Sequence, residues 1–179
     1  MRFVAFLRGI NVGGHTVKLE HLRDLFAQLG FSRVDTYIQS GNVFFETAQS
    51  DRKALTRKIE QRLQGALGYG VPAFLRTIPE LEHILSLDPF KGLKVTPDMR
   101  LCVMLTRDPI PENLSLPLRS PKKDIEILHT TRHEAFVIWH IINGRPPSLR
   151  GFLEEVLGET TTTRFFHTAV KILQAARKA

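Results

Sequence analysis

A chain of 179 residues, 42% of them hydrophobic, has the material for one ordinary domain or two small ones, and nothing in its composition points to disorder. No apolar run approaches the roughly 20 residues that cross a bilayer, the start lacks the parts of a secretion signal, and the single cysteine, Cys102, excludes an internal disulfide, so the expected setting is a reducing cytoplasm with no membrane partner. A formal charge of +7 and a pI near 9.9 favour polyanionic partners, nucleic acid or a phosphate-bearing small molecule, although no dense Lys/Arg run is present.

Arg2 to Leu7 reads as a strand whose two alternating sets, Phe3, Ala5 and Leu7 against Val4 and Phe6, are both apolar. Such a strand belongs inside a sheet covered on both faces. The loop Leu7-Arg8-Gly9-Ile10-Asn11-Val12-Gly13-Gly14 follows, and Thr16 is placed to cap a helix from about Val17, with Leu19, Leu22, Phe26 and Leu29 at helical spacing before Gly30. Arg33 to Gln39 and Val43 to Glu46 read as strands joined at Ser40-Gly41-Asn42, a hairpin turn. Ser50 caps a second predicted helix carrying Leu55, Ile59, Leu63 and Leu67, which ends at Gly68-Tyr69-Gly70. Val71 to Arg76 is a fourth strand. Thr77-Ile78-Pro79-Glu80 has the residues of a capping box and opens a short helix through Leu87.

The order β-α-β-β-α-β is that of the split βαβ, or ferredoxin-like, unit. That topology brings the exit of the first strand, the Ser40-Gly41-Asn42 turn and the Gly68-Tyr69-Gly70 stop to one edge. Asp88 to Asp98, with two prolines and a glycine, reads as a boundary, which gives units at 1–90 and 97–179. In the second unit Met99 to Thr106, Asp124 to Leu128 and Ala135 to Ile142 read as strands and Pro111 to Leu118 as a short helical turn. Ser148 caps a helix with Leu149, Phe152, Leu153 and Val156, Thr160 to Thr163 is extended, and a last helix runs from about Phe165 to Ala176 with Phe166, Val170 and Leu173 on one stripe. The fold class expected is α+β, two similar units packed together.

Chemistry concentrates in the opening loop. Glycines at 9, 13 and 14 let backbone N–H groups approach a ligand, the predicted helix start favours an anion, and Arg8 supplies the stronger, charge-assisted contact. The spacing is neither that of a P-loop nor that of a dinucleotide fingerprint. Gln39, Ser40 and Asn42 offer amide and hydroxyl groups to the same edge, although a hairpin turn uses such residues on its own account. Ser40 lacks a nucleophile elbow or an evident histidine partner. Among seven histidines, His129-x3-His133 with His140 is the best-spaced metal set, but no Cys or carboxylate cluster joins it, and neither a metal nor a cofactor is expected. Cys102, flanked by Leu101, Val103 and Met104, is expected to be buried and inert. Arg164, before Phe165-Phe166-His167-Thr168, could clamp a phosphate or stack on a base. Aromatic residues on the first and third strands suggest the base-stacking sheet of an RNA recognition motif, but that mode needs an open sheet face, which the doubly apolar first strand argues against.

The Leu7–Gly14 loop together with Tyr37-Ile38-Gln39-Ser40-Gly41-Asn42-Val43 resembles the motifs of a bacterial family, domain of unknown function 1697. The resemblance extends over essentially the whole chain and implies two ferredoxin-like units, with no assigned activity. Relatives typically carry a Thr-x-Arg-Asn-Trp-Asn-Thr-like motif near the C-terminus, to which Arg164 and Thr168 correspond, while Phe165, Phe166 and His167 depart from it. The expected ligand-binding set is therefore Arg8, Asn11, Gly13, Gly14, Gln39, Ser40, Asn42 and Arg164, for a phosphate-bearing ligand, nucleotide or nucleic acid. The alternatives are a small hydrolase or transferase using Asn11, Gln39 and Ser40 in the same cleft, and an interaction module with no small-molecule site.

Overall fold

A computed structural model of the chain describes residues 1–148 and 150–179. The protein is mixed α+β, built on two antiparallel sheets. By its internal contacts the chain divides into Met1–His83 with Lys171–Ala179, and Ile84–Val170.

In the first unit, β1 (Arg2–Leu7), α1 (Leu19–Ala27), β2 (Ser32–Thr36), β3 (Asn42–Glu46), α2 (Arg52–Leu67), β4 (Ala73–Thr77) and the first part of α3 (Ile78–Ser86) follow in that order. The strands lie in the order β2-β3-β1-β4, so β1 is central and antiparallel to both neighbours. Phe3, Ala5 and Leu7 share a core with Val43, Phe45, Ala73 and Leu75 and with Leu22, Leu25 and Phe26 of α1 and Leu55, Ile59 and Leu63 of α2. The opposite set, Val4, Phe6, Phe44 and Phe74, is equally buried. Both faces of β1 are thus withdrawn from water, as its sequence requires, and no open face is left there for bases to stack on.

Helix starts correct two sequence expectations and bear out a third. α1 starts at Leu19 with Lys18 at its N-cap and no side-chain cap, so Thr16 does not perform that role. At α2 the cap is Asp51, whose carboxylate accepts the Ala54 N–H at 3.0 Å, in place of Ser50, and Gly68 in the left-handed region ends the helix. Asp51 stands at the N-cap itself, three positions before Ala54 and within reach of that N–H, whereas Ser50 lies one position too early. The box at α3 forms in both directions, Thr77 N–H to Glu80 at 2.8 Å and Glu80 N–H to Thr77 Oγ1 at 3.4 Å. Burial alone would raise the Glu80 pKa, but Arg52 and the Thr77 N–H together hold the carboxyl below its ordinary value.

The second unit contains β5 (Met99–Thr106), β6 (Leu118–Arg119), β7 (Ile125–Thr130), β8 (Glu134–His140), α4 (Phe152–Leu157), β9 (Thr161–Phe165) and the first part of α5 (Phe166–Lys178). Its strand order is β6-β7-β8-β5-β9. With the short β6 set aside, the arrangement β7-β8-β5-β9 repeats β2-β3-β1-β4. The crossover differs. The Pro111–Leu118 segment forms no helix, only a turn at 112–113, and Leu118 and Arg119 pair with Ile127 and Glu126. Prolines at 109, 111 and 117 withhold the N–H groups that a helix there would need. Ser148 does not cap α4, whose N-cap is Gly151; the Ser148 hydroxyl accepts the Arg150 N–H at 3.3 Å. Leu149 lies outside the described residues. The buried stripe of α5 is Ala169, Ile172, Leu173 and Ala176, one position round from Phe166, Val170 and Leu173.

Cys102 lies in the second core with Met104, Ile127 and Val137, and burial pushes its thiol pKa up to about 12. Neutral pH leaves it protonated, so a thiol reagent is expected to label the protein only after unfolding in urea. Equal labelling rates for native and denatured protein would overturn that placement.

Candidate functional site at the loop rim of the first unit

β1 ends at Leu7 with its backbone held on two sides. Leu7 N–H donates to the Gly41 carbonyl at 2.8 Å, and Arg8 N–H donates to the Pro72 carbonyl at 2.9 Å. Ile10 then drops into the core at 1% exposure, and Gly41 packs against it. A Cβ on Gly41 would lie 2.7 Å from Ile10 Cγ2 and 3.1 Å from Leu7 Cβ, in a backbone with φ +78°. The hairpin turn and the opening loop therefore touch through backbone, which is why a glycine stands at 41.

Asn11 closes the loop. Its Oδ1 accepts the Val17 N–H at 2.6 Å and its Nδ2 donates to the Gln39 carbonyl at 2.6 Å. Asn42 does the same for the hairpin: fully buried, it donates from Nδ2 to the Tyr37 carbonyl and to Ser40 Oγ, both at 3.0 Å. Tyr69, in the third converging loop, donates its hydroxyl to the Ile10 carbonyl at 2.8 Å. Burial raises its pKa, so the phenol stays protonated and keeps donating. The ring of Tyr69 also stacks on His15, with centroids 3.9 Å apart and 22° between planes.

The structure thus brings together residues 7–17, 37–42 and Tyr69. Of the residues singled out from sequence, Arg8, Gly13, Gly14, Gln39 and Ser40 are exposed on this rim, whereas Asn42 lies beneath it and Asn11 spends both ends of its amide on the loop. Gly9, Gly13 and Gly14 have φ of +70°, +69° and +87°, and nothing lies within 4 Å of where their Cβ atoms would stand. Conformation demands glycine at these positions, while the space above them is open. Because α1 begins only at Leu19, its N-terminus does not follow the loop directly, and the helix-dipole support expected there falls away.

Arg164 is not among these rim residues. It lies on β9 in the second unit, paired with Val103, 8% exposed, and donates to Thr162 Oγ1 at 3.0 Å and the Thr163 carbonyl at 2.9 Å. Burial pushes its pKa down to about 10, still far above neutrality, so it remains a cation. Of the histidines, His129 lies against Phe136 and His140 faces Glu126 at 3.8 Å. Among the described residues no three His, Cys, Asp or Glu side chains gather closely enough to hold a metal, and no helix is long and apolar enough to cross a membrane.

Three rim features escaped the sequence reading. Tyr69 was visible only as part of a helix stop, His15 as one histidine among seven, and Ile38 as a strand residue. Ile38 is in fact left-handed, with φ +53°, and 40% exposed, an unusual state for a β-branched side chain.

These observations define an α+β protein of two antiparallel sheets whose first unit presents a glycine-rich rim. Residues 1–136 match the family described as "Protein of unknown function (DUF1697)", and the chain belongs to that family. A solved structure of a conserved bacterial protein from Streptococcus pneumoniae is similar over 98% of both chains, with a TM-score of 0.69 and 22% identity, a likeness of fold. No curated protein matches the chain.

Proposed function

We propose that the rim binds a phosphate-bearing ligand, a nucleotide or nucleic acid, and that the first unit is a ferredoxin-like frame for it. The observation that carries this reading is the set of exposed, left-handed glycines at 9, 13 and 14 with open space above them, beside the exposed Arg8. Left-handed turns point consecutive N–H groups outward, which is how backbone concavities hold anions. Arg8 provides the charge, and Gln39 and Ser40 provide side-chain donors. Asn11 and Asn42 are positioning residues, since their amides hold the two loops to each other and to the sheet. The formal charge of +7 favours the approach of such a ligand. The second sheet, with its repeated strand order, is read as a variant of the same frame lacking one helix, and Arg164 as part of its structure.

Titration calorimetry with adenosine 5′-monophosphate and with a short single-stranded RNA, on wild type and Arg8→Ala, tests the reading. A charge-assisted hydrogen bond contributes about 1.5–3 kcal/mol, so the variant is expected to bind at least about tenfold more weakly. Equal affinities would remove Arg8 from the site.

A further inference from the structure

We infer that the rim also holds the base of its ligand, with the His15–Tyr69 stack as a platform for a nucleobase and Val12 and Ile38 as its apolar flanks. The inference rests on the phosphate reading and goes beyond it by naming the unit recognised: a single 5′-nucleotide with an unpaired base.

The platform is anchored. Tyr69 is tied through its hydroxyl to the Ile10 carbonyl, and Ile10 is in the core, so the ring beneath His15 has a fixed place. Tyr69 covers one face of the imidazole while the residue is exposed, which leaves the other face for a second planar group. Stacking of a base on such a ring is sequence-tolerant, because every base has a π-face.

The flanks are apolar where a solvated turn has no use for them. Val12 is 68% exposed and Ile38 40% exposed. Val12 and His15 share one tight turn, His15 N–H to the Val12 carbonyl at 3.4 Å, while Ile38 precedes Gln39, to which the neighbour of Val12, Asn11, is bonded. Ile38 holds its exposure in a strained, left-handed backbone, a state found preferentially at ligand sites. Gly13 and Gly14 stand between Val12 and His15, so amides for a phosphate and a ring for a base come from four consecutive residues. A duplex keeps its bases stacked on one another and cannot use such a platform. A free nucleotide or one residue of a single strand can.

Calorimetric titration with ribose 5-phosphate, adenosine, adenosine 5′-monophosphate and a single-stranded oligoadenylate, on wild type, His15→Ala and His15→Phe, tests this. Wild type is expected to bind the monophosphate about tenfold more tightly than ribose 5-phosphate, in keeping with measured base–aromatic stacking. That gain should vanish in His15→Ala and return in His15→Phe, which restores a ring without the imidazole. Tighter binding of the oligoadenylate than of the monophosphate would support the inference with a single strand as the source, and equal binding would support it with the free nucleotide. Equal affinity of wild type for ribose 5-phosphate and the monophosphate would overturn the platform and leave the phosphate reading intact. Adenosine binding that depends on His15, with no gain from phosphate, would keep the platform and overturn the phosphate reading. No binding of any of the four would overturn both.

Discussion

Gly41→Ala is expected to destabilise the protein by about 2–5 kcal/mol, the sum of left-handed strain at a residue with a Cβ, about 1–2 kcal/mol, and of overpacking, about 1–3 kcal/mol. The first term follows from φ +78° and the second from the 2.7 Å approach to Ile10 Cγ2. Neither Ile10 nor Leu7 can give way easily, since both are about 1% exposed and packed in the core of the first unit. Gly9 serves as the control. It has φ +70° but nothing within 4 Å of its Cβ position, so Gly9→Ala carries the strain alone, about 1–2 kcal/mol. Urea denaturation of the two variants beside wild type measures the difference. If both cost the same, the contact between turn and loop contributes nothing, and the rim is less tightly assembled than its geometry indicates.

Phe45→Ala is expected to cost about 3–5 kcal/mol, the range for emptying the place of a buried phenylalanine. Phe45 is fully buried at the middle of an aromatic cluster, its ring 5.6 Å from Phe3, 5.6 Å from Phe26 and 4.5 Å from Phe31. It is the residue through which β3 meets β1 and α1 at once. Phe165→Ala, at 39% exposure, should cost much less, because part of that ring is already in water. The same denaturation series decides. A Phe45→Ala loss no larger than that of Phe165→Ala would mean that the cluster is not the core of the first unit.

Element types in the first unit were legible because pattern and chemistry agree there. The doubly apolar β1 told of burial on both faces, the four-residue spacing of Leu55, Ile59 and Leu63 gave α2 and its inward side, and the Thr77–Glu80 box forms as its residues announce. Caps were read less well, because several hydroxyl and carboxyl residues near a helix start can meet the orphan N–H groups, and the backbone path decides between Ser50 and Asp51. The second unit was harder. Its first crossover has Ile110, Leu114 and Leu118 four apart, an interval that suits a helical turn, while its prolines limit it to a turn at 112–113 and a bend at 116–117 before the short β6.

The candidate site divides in the same way. The glycines at 9, 13 and 14, Arg8 and the Ser40-Gly41-Asn42 turn stand out in the chain because positive φ, charge and hairpin chemistry are properties of single residues and short stretches. The use of each was settled by contacts over long separations. Asn11 was expected to meet a ligand and is a clamp from Val17 to Gln39, Asn42 was expected to offer its amide to a ligand and is buried beneath the rim, and Tyr69 reaches a carbonyl 59 positions earlier. By itself the sequence determined which segments of the first unit become strands and helices, where the first sheet must be covered and which loop is rich in glycine, since these depend on periodicity and backbone freedom along the chain. Only the tertiary structure decided that the loop rests on Gly41, that His15 lies on Tyr69 and that Arg164 is turned into its own unit, because close approach between distant residues depends on the register of the sheet, which local pattern does not encode.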